Sequence, residues 1–230
     1  MLFNLLTDEA SESFVPTLII SIVAILLIIG IMVVLCFVTK KLNTRSIVFA
    51  GITIALSFCL SYIKFSPVSN GGSITLASML PVIIYAYFYG FGPGLLCGVC
   101  HGLLQFIQEP YILTPVTFIF DYVLAFGSIA VAPLFKKIPQ KTVALICGII
   151  AVYVVRFISH FISGIFYFPD NTLIEAMGLS AAYQATYIPL DCAISLAAGI
   201  VLSLTGVIDI LEKQALKGLN KKEKTETTEN

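Results

Sequence analysis

Residues 115–137 read PVTFIFDYVLAFGSIAVAPLFKK. The stretch is long and apolar enough to cross a bilayer as one helix, and two lysines end it. One acid, Asp121, lies near its start, where a carboxylate is costly if it faces hydrocarbon. We therefore expect a bundle of helices in which Asp121 faces a polar partner or a cavity.

The composition of the whole chain agrees with a membrane protein. Of its 230 residues, 58% are hydrophobic and 11% are charged, and the mean hydropathy is +0.99. A soluble domain carries about 25% charged residues. The formal net charge is zero, which argues against a nucleic-acid partner. The chain is therefore predicted to be an all-α membrane protein.

Seven apolar segments predict membrane spans. They lie at 15–39, 46–64, 74–90, 93–108, 115–135, 142–168 and 179–212. Basic residues follow the first, fifth and seventh spans, so all three clusters fall on one side of the membrane. Because basic loops stay in the cytoplasm, we expect a multi-pass plasma-membrane protein with its N-terminus outside and its C-terminus in the cytoplasm.

Ionisable residues are predicted near the outer ends of the last three spans. Arg156 and His160 are four residues apart and share one helix face. Arg156 is expected to pair with Asp191 or Asp121, because buried ions need partners. For Asp121 and His160, such a structural role and direct contact with a ligand stay open.

Aromatic residues gather at the same predicted level. They are Tyr111, Tyr122, Phe166, Tyr167, Phe168, Tyr183 and Tyr187. Tyrosines are common at membrane interfaces, and phenylalanines are common in helix cores. Their combination with acids in a dehydrated pocket would suit an organic cation.

Two further motifs have alternative readings. Cys97 and Cys100, followed by His101, match the attachment pattern of c-type haem, but they lie within an apolar span, so we expect ordinary helix packing and no metal or cofactor. Gly51 and Ala55 form a small-xxx-small pair for close helix approach, either inside the bundle or against a partner protein. No phosphate-binding loop is present in the sequence, so an ATP-driven step would need another subunit.

The order of these pieces resembles the thiamine-specific substrate-binding subunit (S-component) of energy-coupling factor (ECF) transporters. Four stretches carry the resemblance: GGSITLASMLPV (71–82), GLLQFIQEPYILTPVTFIFDYVLAF (102–126), RFISHFISGIFYF (156–168) and AYQATYIPLD (182–191). The resemblance implies a six-helix S-component bundle at 45–212, preceded by one additional transmembrane helix at 15–39. Residues 1–14 would be an extracellular segment, and 213–230 a cytoplasmic polar tail.

The same resemblance implies a function. The chain would capture thiamine at the outer face and deliver it to an ECF transmembrane subunit with two ATPase subunits; it would not be an enzyme. The implied ligand-binding residues are Tyr111, Asp121, His160, Phe168, Tyr183 and Gln184. Arg156 and Asp191 would form a structural ion pair, and Gly51 and Ala55 would dock the partner subunit.

Several positions depart from the family pattern. Asp121 replaces a glutamate, Phe168 a tryptophan, Gln184 an asparagine and Leu179 a tyrosine. These changes leave open a thiamine analogue, a pyrimidine precursor or another small vitamin as the ligand. A proton-coupled carrier or an intramembrane enzyme using His160 are alternatives from other classes, but the sequence shows neither inverted repeats nor a nucleophile motif.

Overall fold

A computed structural model describes Gly30 and residues 44–67, 72–111, 114–168, 170–215 and 217. The predicted segments 1–14 and 15–39 lie outside the described residues, apart from Gly30, and so does most of the predicted tail. The predictions for these three segments therefore remain predictions.

The described chain is predominantly helical. Its elements are α1 (Thr44–Ser61), β1 (Lys64–Pro67), β2 (Ser73–Thr75), α2 (Leu80–Tyr89), α3 (Phe91–Gln108), α4 (Pro115–Lys137), α5 (Lys141–Ile165), α6 (Leu173–Leu204) and a short helix α7 at 207–215. Among the described residues, α1, α4, α5 and α6 are long and apolar enough to cross a membrane, and α2 is a shorter apolar helix. The predicted class, an all-α membrane protein, is confirmed.

Helix α2 forms the centre of the bundle. Every residue from Leu80 to Tyr89 except Pro81 is buried, and the helix packs against α1, α3, α4, α5 and α6. A helix that is apolar on all sides belongs in an interior, which explains this position.

Helix α1 lies at the edge of the bundle. Its buried side carries Ser46, Ser57 and Ser61, whereas Ile52 and Leu56 are exposed. Small and hydroxyl-bearing residues allow close helix packing in lipid, and the apolar side suits hydrocarbon. The helix is therefore turned with its most apolar side outward.

The segment before α2 differs from the prediction. The sequence predicts a span that begins at residue 74, but β1 and β2 form an antiparallel hairpin and α2 begins only at Leu80. Thr75 lies in β2, and its backbone N–H and Oγ1 both donate to Asp191 on α6, at 3.0 and 2.8 Å. A long-range contact thus decides the local structure.

Helix α4 is irregular, and it carries Asp121 in its irregular part. It begins as an α-helix with a capping box between Thr114 and Thr117, becomes a π-helix over Ile119–Leu124, and ends as a 3₁₀-helix over Ser128–Lys137. A π segment changes the angular position of the side chains that follow, and such segments are frequent at functional sites.

Candidate ligand-binding site

A cavity of about 190 Å³ lies at the end of the bundle where α3 and α5 finish and α4 and α6 begin. All six residues predicted to bind ligand line it, namely Tyr111, Asp121, His160, Phe168, Tyr183 and Gln184. Gly72 and Ser73 of the hairpin segment and Arg156 line it as well. The structure therefore brings the predicted set together, and its role in binding stays a prediction.

Asp121 accepts three hydrogen bonds at the wall of this cavity. Its Oδ1 lies 2.8 Å from His160 Nδ1, and its Oδ2 accepts from Ser163 Oγ at 2.7 Å and from the Tyr167 hydroxyl at 3.2 Å. An ionised carboxylate can only accept, so this set of donors fits the charged form. The carboxylate is held in place by neutral hydroxyl groups and an imidazole.

Tyr167 follows the end of α5, outside the membrane-spanning segments. Burial raises the pKa of its hydroxyl, a hydrogen bond with Thr117 acts in the opposite direction, and the charge of Asp121 raises the pKa further. The hydroxyl therefore remains protonated and donates to Asp121 at neutral pH.

The tautomer of His160 follows from its two neighbours. Arg156 Nε lies 3.5 Å from His160 Nε2, and a guanidinium can only donate. His160 Nε2 must therefore be the unprotonated acceptor, and the hydrogen on Nδ1 points to Asp121 Oδ1. This geometry fits a neutral imidazole.

Arg156 forms an ion pair with Asp191. Its Nη1 donates to Asp191 Oδ2 at 3.0 Å and approaches the sulfur of Met79 at 2.9 Å. Asp191 is 1% exposed and also accepts from the Tyr153 hydroxyl at 2.9 Å, in addition to the two bonds from Thr75. Of the two partners predicted for Arg156, the structure selects Asp191.

Aromatic rings form much of the remaining wall. The rings of Tyr111 and Tyr167 are stacked, with centroids 5.2 Å apart and an interplanar angle of 16°. Tyr183 and Tyr187 meet edge to face at 5.6 Å, and Phe168 also faces the cavity. Tyr111 is 43% exposed, so the stacked pair lies at the mouth of the cavity.

Gln184 is largely committed to the protein. Its Oε1 accepts from the Tyr187 hydroxyl at 2.6 Å, and its Nε2 donates to the backbone oxygen of His160 at 3.2 Å. Because a carbonyl oxygen can only accept, this network fixes which end of the amide is nitrogen. One amide hydrogen and one lone pair of Oε1 remain for a ligand, so Gln184 can contribute one donor and one acceptor.

Two residues around Asp121 were not singled out from the sequence as its partners. Ser163 and Tyr167 continue the helical spacing of Arg156 and His160, at positions seven and eleven along the same face. A polar stripe of this kind in an apolar helix indicates a face that meets other polar groups, so it could have identified both residues as candidate partners of Asp121. Tyr153, which contacts Asp191, lies three residues before Arg156 and extends the same stripe.

Other positions lie apart from the site. Leu179, matched to a family tyrosine, is 44% exposed and does not line the cavity. His101 is buried against Phe126, and within the described residues neither of its ring nitrogens has a hydrogen-bond partner. No group of three or more metal-binding side chains occurs in the described parts of the chain.

Comparisons with known proteins show which family this chain resembles. The model of the family described as thiamine transporter protein (Thia_YuaJ) matches residues 47–212. Thiamine transporter ThiT of Bacillus subtilis (strain 168) is 28% identical over 138 residues, which cover 54% of this chain and 70% of that protein. A solved structure of ThiT from Listeria monocytogenes has the same fold, with a TM-score of 0.54 and 23% identity over 76% of this chain and 98% of that one.

The matched region begins at Ile47, in the first turn of α1, and ends in the short helix α7. It contains every residue that lines the cavity. The resemblance seen in the sequence is thereby confirmed. The chain belongs to the thiamine transporter protein family.

Proposed function

We propose that this protein captures thiamine in the cavity around Asp121 and serves as the S-component of an ATP-driven ECF importer. The observation that carries the proposal is the charge balance of the cavity, taken together with family membership. A ligand with one positive charge and two flat rings would complete that balance.

The carboxylates of the site differ in how they are compensated. Asp191 is paired with Arg156, and Glu109 at the edge of the cavity is paired with Lys64. Within the described residues, Asp121 alone among the lining carboxylates has no fixed cation beside it, because His160 is neutral in this network. An uncompensated carboxylate in a low-dielectric site favours a cationic ligand.

Thiamine has the matching chemistry. It carries one permanent positive charge on its thiazolium ring, and its aminopyrimidine is a second flat ring. Aromatic faces such as Tyr111 and Phe168 can stack on either ring and stabilise the cation. A phosphorylated thiamine would add negative charge beside Asp121, so the unphosphorylated vitamin is the expected ligand.

The orientation of the cavity supports capture from outside. Lys136 and Lys137 end α4 and Lys141 begins α5, so these basic residues lie at the end of the bundle opposite the cavity. Because basic residues favour the cytoplasmic side, we infer that the cavity faces the exterior, with the C-terminus in the cytoplasm.

Docking to an ECF transmembrane subunit is assigned to α1. Gly51 and Ala55 are both exposed, and a Cβ built on Gly51 meets no described atom within 4 Å. The pair is therefore not used for packing within the described bundle, and an open small-residue face suits close approach of a partner helix. Hydrolysis of ATP would take place in two further subunits, and this chain would not be an enzyme.

The ligand proposal is tested by Asp121→Asn. We expect isothermal titration calorimetry to show thiamine binding to the wild type, and the loss of the buried charge contact to cost about 2 to 4 kcal/mol. That is about 30-fold to about 900-fold in Kd. Asp170→Asn is the matched control, because Asp170 is exposed and does not line the cavity.

The outcomes separate the candidate ligands. If the folded wild type does not bind thiamine but binds its neutral aminopyrimidine half as a separate molecule, the protein would be an S-component for a precursor. Normal thiamine affinity in Asp121→Asn would remove the charge argument.

The transport proposal is tested with Gly51→Leu combined with Ala55→Leu. We expect thiamine binding to persist and ATP-dependent uptake, measured in vesicles with the ECF subunits, to be lost. Gly178→Leu with Ala182→Leu is the control, since it enlarges an equally spaced, exposed pair on α6. Uptake by the chain alone without ATP would instead indicate a secondary carrier.

A further inference from the structure

We propose that Arg156 and Asp191 are positioning residues that hold His160 as the neutral Nδ1–H tautomer and thereby keep Asp121 charged and available to the ligand. The effect on ligand affinity rests on the proposed function, whereas the effect on His160 does not. The four side chains form one continuous row from the buried end of β2 to the cavity wall.

The row begins with a fixed carboxylate. Asp191 accepts the N–H and hydroxyl of Thr75 on one oxygen and the Tyr153 hydroxyl and Arg156 on the other. With four donors and 1% exposure, Asp191 has little freedom to move. It therefore fixes the position of the guanidinium.

The guanidinium in turn faces the imidazole. Arg156 is held by Asp191 through Nη1 and by the aromatic ring of Phe126, whose centroid lies 5.2 Å from Cζ. Its Nε is left directed at His160 Nε2, at 3.5 Å. Two hydrogens cannot occupy this gap, so Arg156 blocks protonation of His160 at Nε2 both by sterics and by like charge.

The groups around His160 act in opposite directions. Asp121 on α4 attracts a proton to the imidazole, and Arg156 on its own helix opposes it. Tyr187 on α6 approaches only with its ring, at 6.5 Å between centroids, and Tyr167 directs its hydroxyl to Asp121. Without the Arg156 charge, Asp121 would favour an imidazolium, which would neutralise the carboxylate that the ligand needs.

The test uses a double variant that removes both charges. Arg156→Met with Asp191→Asn removes both members of the buried ion pair, so neither is left without its partner, and an asparagine oxygen can still accept from Thr75; folding is therefore expected to be retained. Lys141→Met with Asp209→Asn removes a second ion pair, 2.6 Å long, at the opposite end of the bundle and serves as the control.

The first readout is ¹⁵N NMR of histidine-labelled, ligand-free protein in detergent. The chain has two histidines, His101 and His160, so the imidazole signals are assigned by their loss in His160→Gln. We expect the wild type and the control to show His160 with a protonated Nδ1 and a bare Nε2 from about pH 8 to about pH 6. In the double variant we expect the Nε2–H or imidazolium form to appear in this range.

The second readout is the pH profile of thiamine affinity. We expect a nearly constant Kd in the wild type and a loss of about tenfold in the double variant as the pH falls from about 8 to about 6. An unchanged His160 tautomer in the double variant, or a wild-type Nε2–H form, would overturn the positioning role. If the wild type does not bind thiamine at all, only the proposed function fails, because the NMR result is obtained without ligand.

Discussion

Replacing Gly164 with Ala adds one methyl group where α5 faces Ser180 and Gln184 of α6 beside the cavity. A Cβ at this position would overlap the hydroxyl of Ser180 and would lie 3.0 Å from its Cβ and 3.3 Å from Gln184 Nε2. Ser180 is fully buried and donates to the backbone oxygen of Phe161 at 2.8 Å, so its side chain cannot turn away without losing that bond. The two helices must therefore separate.

The expected cost is that of overpacking a well-packed interior, about 1–3 kcal/mol. Separation of the helices also displaces Gln184, whose amide is bonded to both Tyr187 and the His160 backbone. We therefore expect a lower thermal unfolding midpoint in detergent and a Kd for thiamine raised about tenfold, which corresponds to about 1.4 kcal/mol.

A compensating change makes the prediction specific. Ser180→Gly removes the two nearest of the three atoms that the new methyl group would meet, and alone it should cost about 1 kcal/mol for the lost hydrogen bond. In Gly164→Ala with Ser180→Gly we expect the penalty of the first change to be largely relieved, with a coupling of about 1–2 kcal/mol between the two sites. Wild-type stability and affinity in Gly164→Ala, or strictly additive effects in the pair, would refute the reasoning.

Two further predictions concern the hairpin and the cysteines. Tyr183→Phe removes the acceptor of the Gly72 N–H, which lies 2.9 Å from the tyrosine oxygen, and should lower the free energy of opening the hairpin by about 0.5–1.5 kcal/mol. The measurement is hydrogen exchange over 64–67 and 72–75, which should become faster; unchanged exchange would contradict this. Cys97 and Cys100 lie in an apolar helix away from the cavity, so Cys97→Ala with Cys100→Ala should leave thiamine affinity unchanged. The wild type should also show no haem absorbance in its visible spectrum. A Soret band would show that the motif does bind haem.

The bundle was predictable from the sequence because lipid imposes simple requirements. Long apolar runs had to become helices, and the helix over 115–137 was predicted within two residues of its observed end. Buried charges need partners, so the sequence predicts a carboxylate partner for Arg156, with Asp191 and Asp121 as the two candidates, and the structure pairs it with Asp191. Leaving backbone polar groups or charges unpaired in lipid carries a large energetic penalty, so the local sequence decides where helices form and which residues need partners.

The hairpin and the π-helical segment were not predictable in this way. Residues 73–75 are a strand because Asp191, more than a hundred positions away, binds Thr75. The π segment sets the direction of Asp121 toward Ser163 and His160 on α5, and no local pattern in the sequence indicates it. In both cases a tertiary contact outweighs the local preference, which no inspection of neighbouring residues can reveal.

The site illustrates how a low-dielectric protein can keep a carboxylate charged without satisfying it completely. A fixed cation beside Asp121 would stabilise the carboxylate but would also compete with a cationic ligand. Ser163, Tyr167 and neutral His160 instead supply hydrogen bonds, which favour the ionised form and add no net charge. Under the proposed function, the ligand then supplies the full positive counter-charge. By this reasoning, Ser163→Ala removes one neutral hydrogen bond from Asp121 and should weaken the binding of a cation only a little. Ser163→Lys would place a competing cation beside Asp121 and should weaken that binding far more.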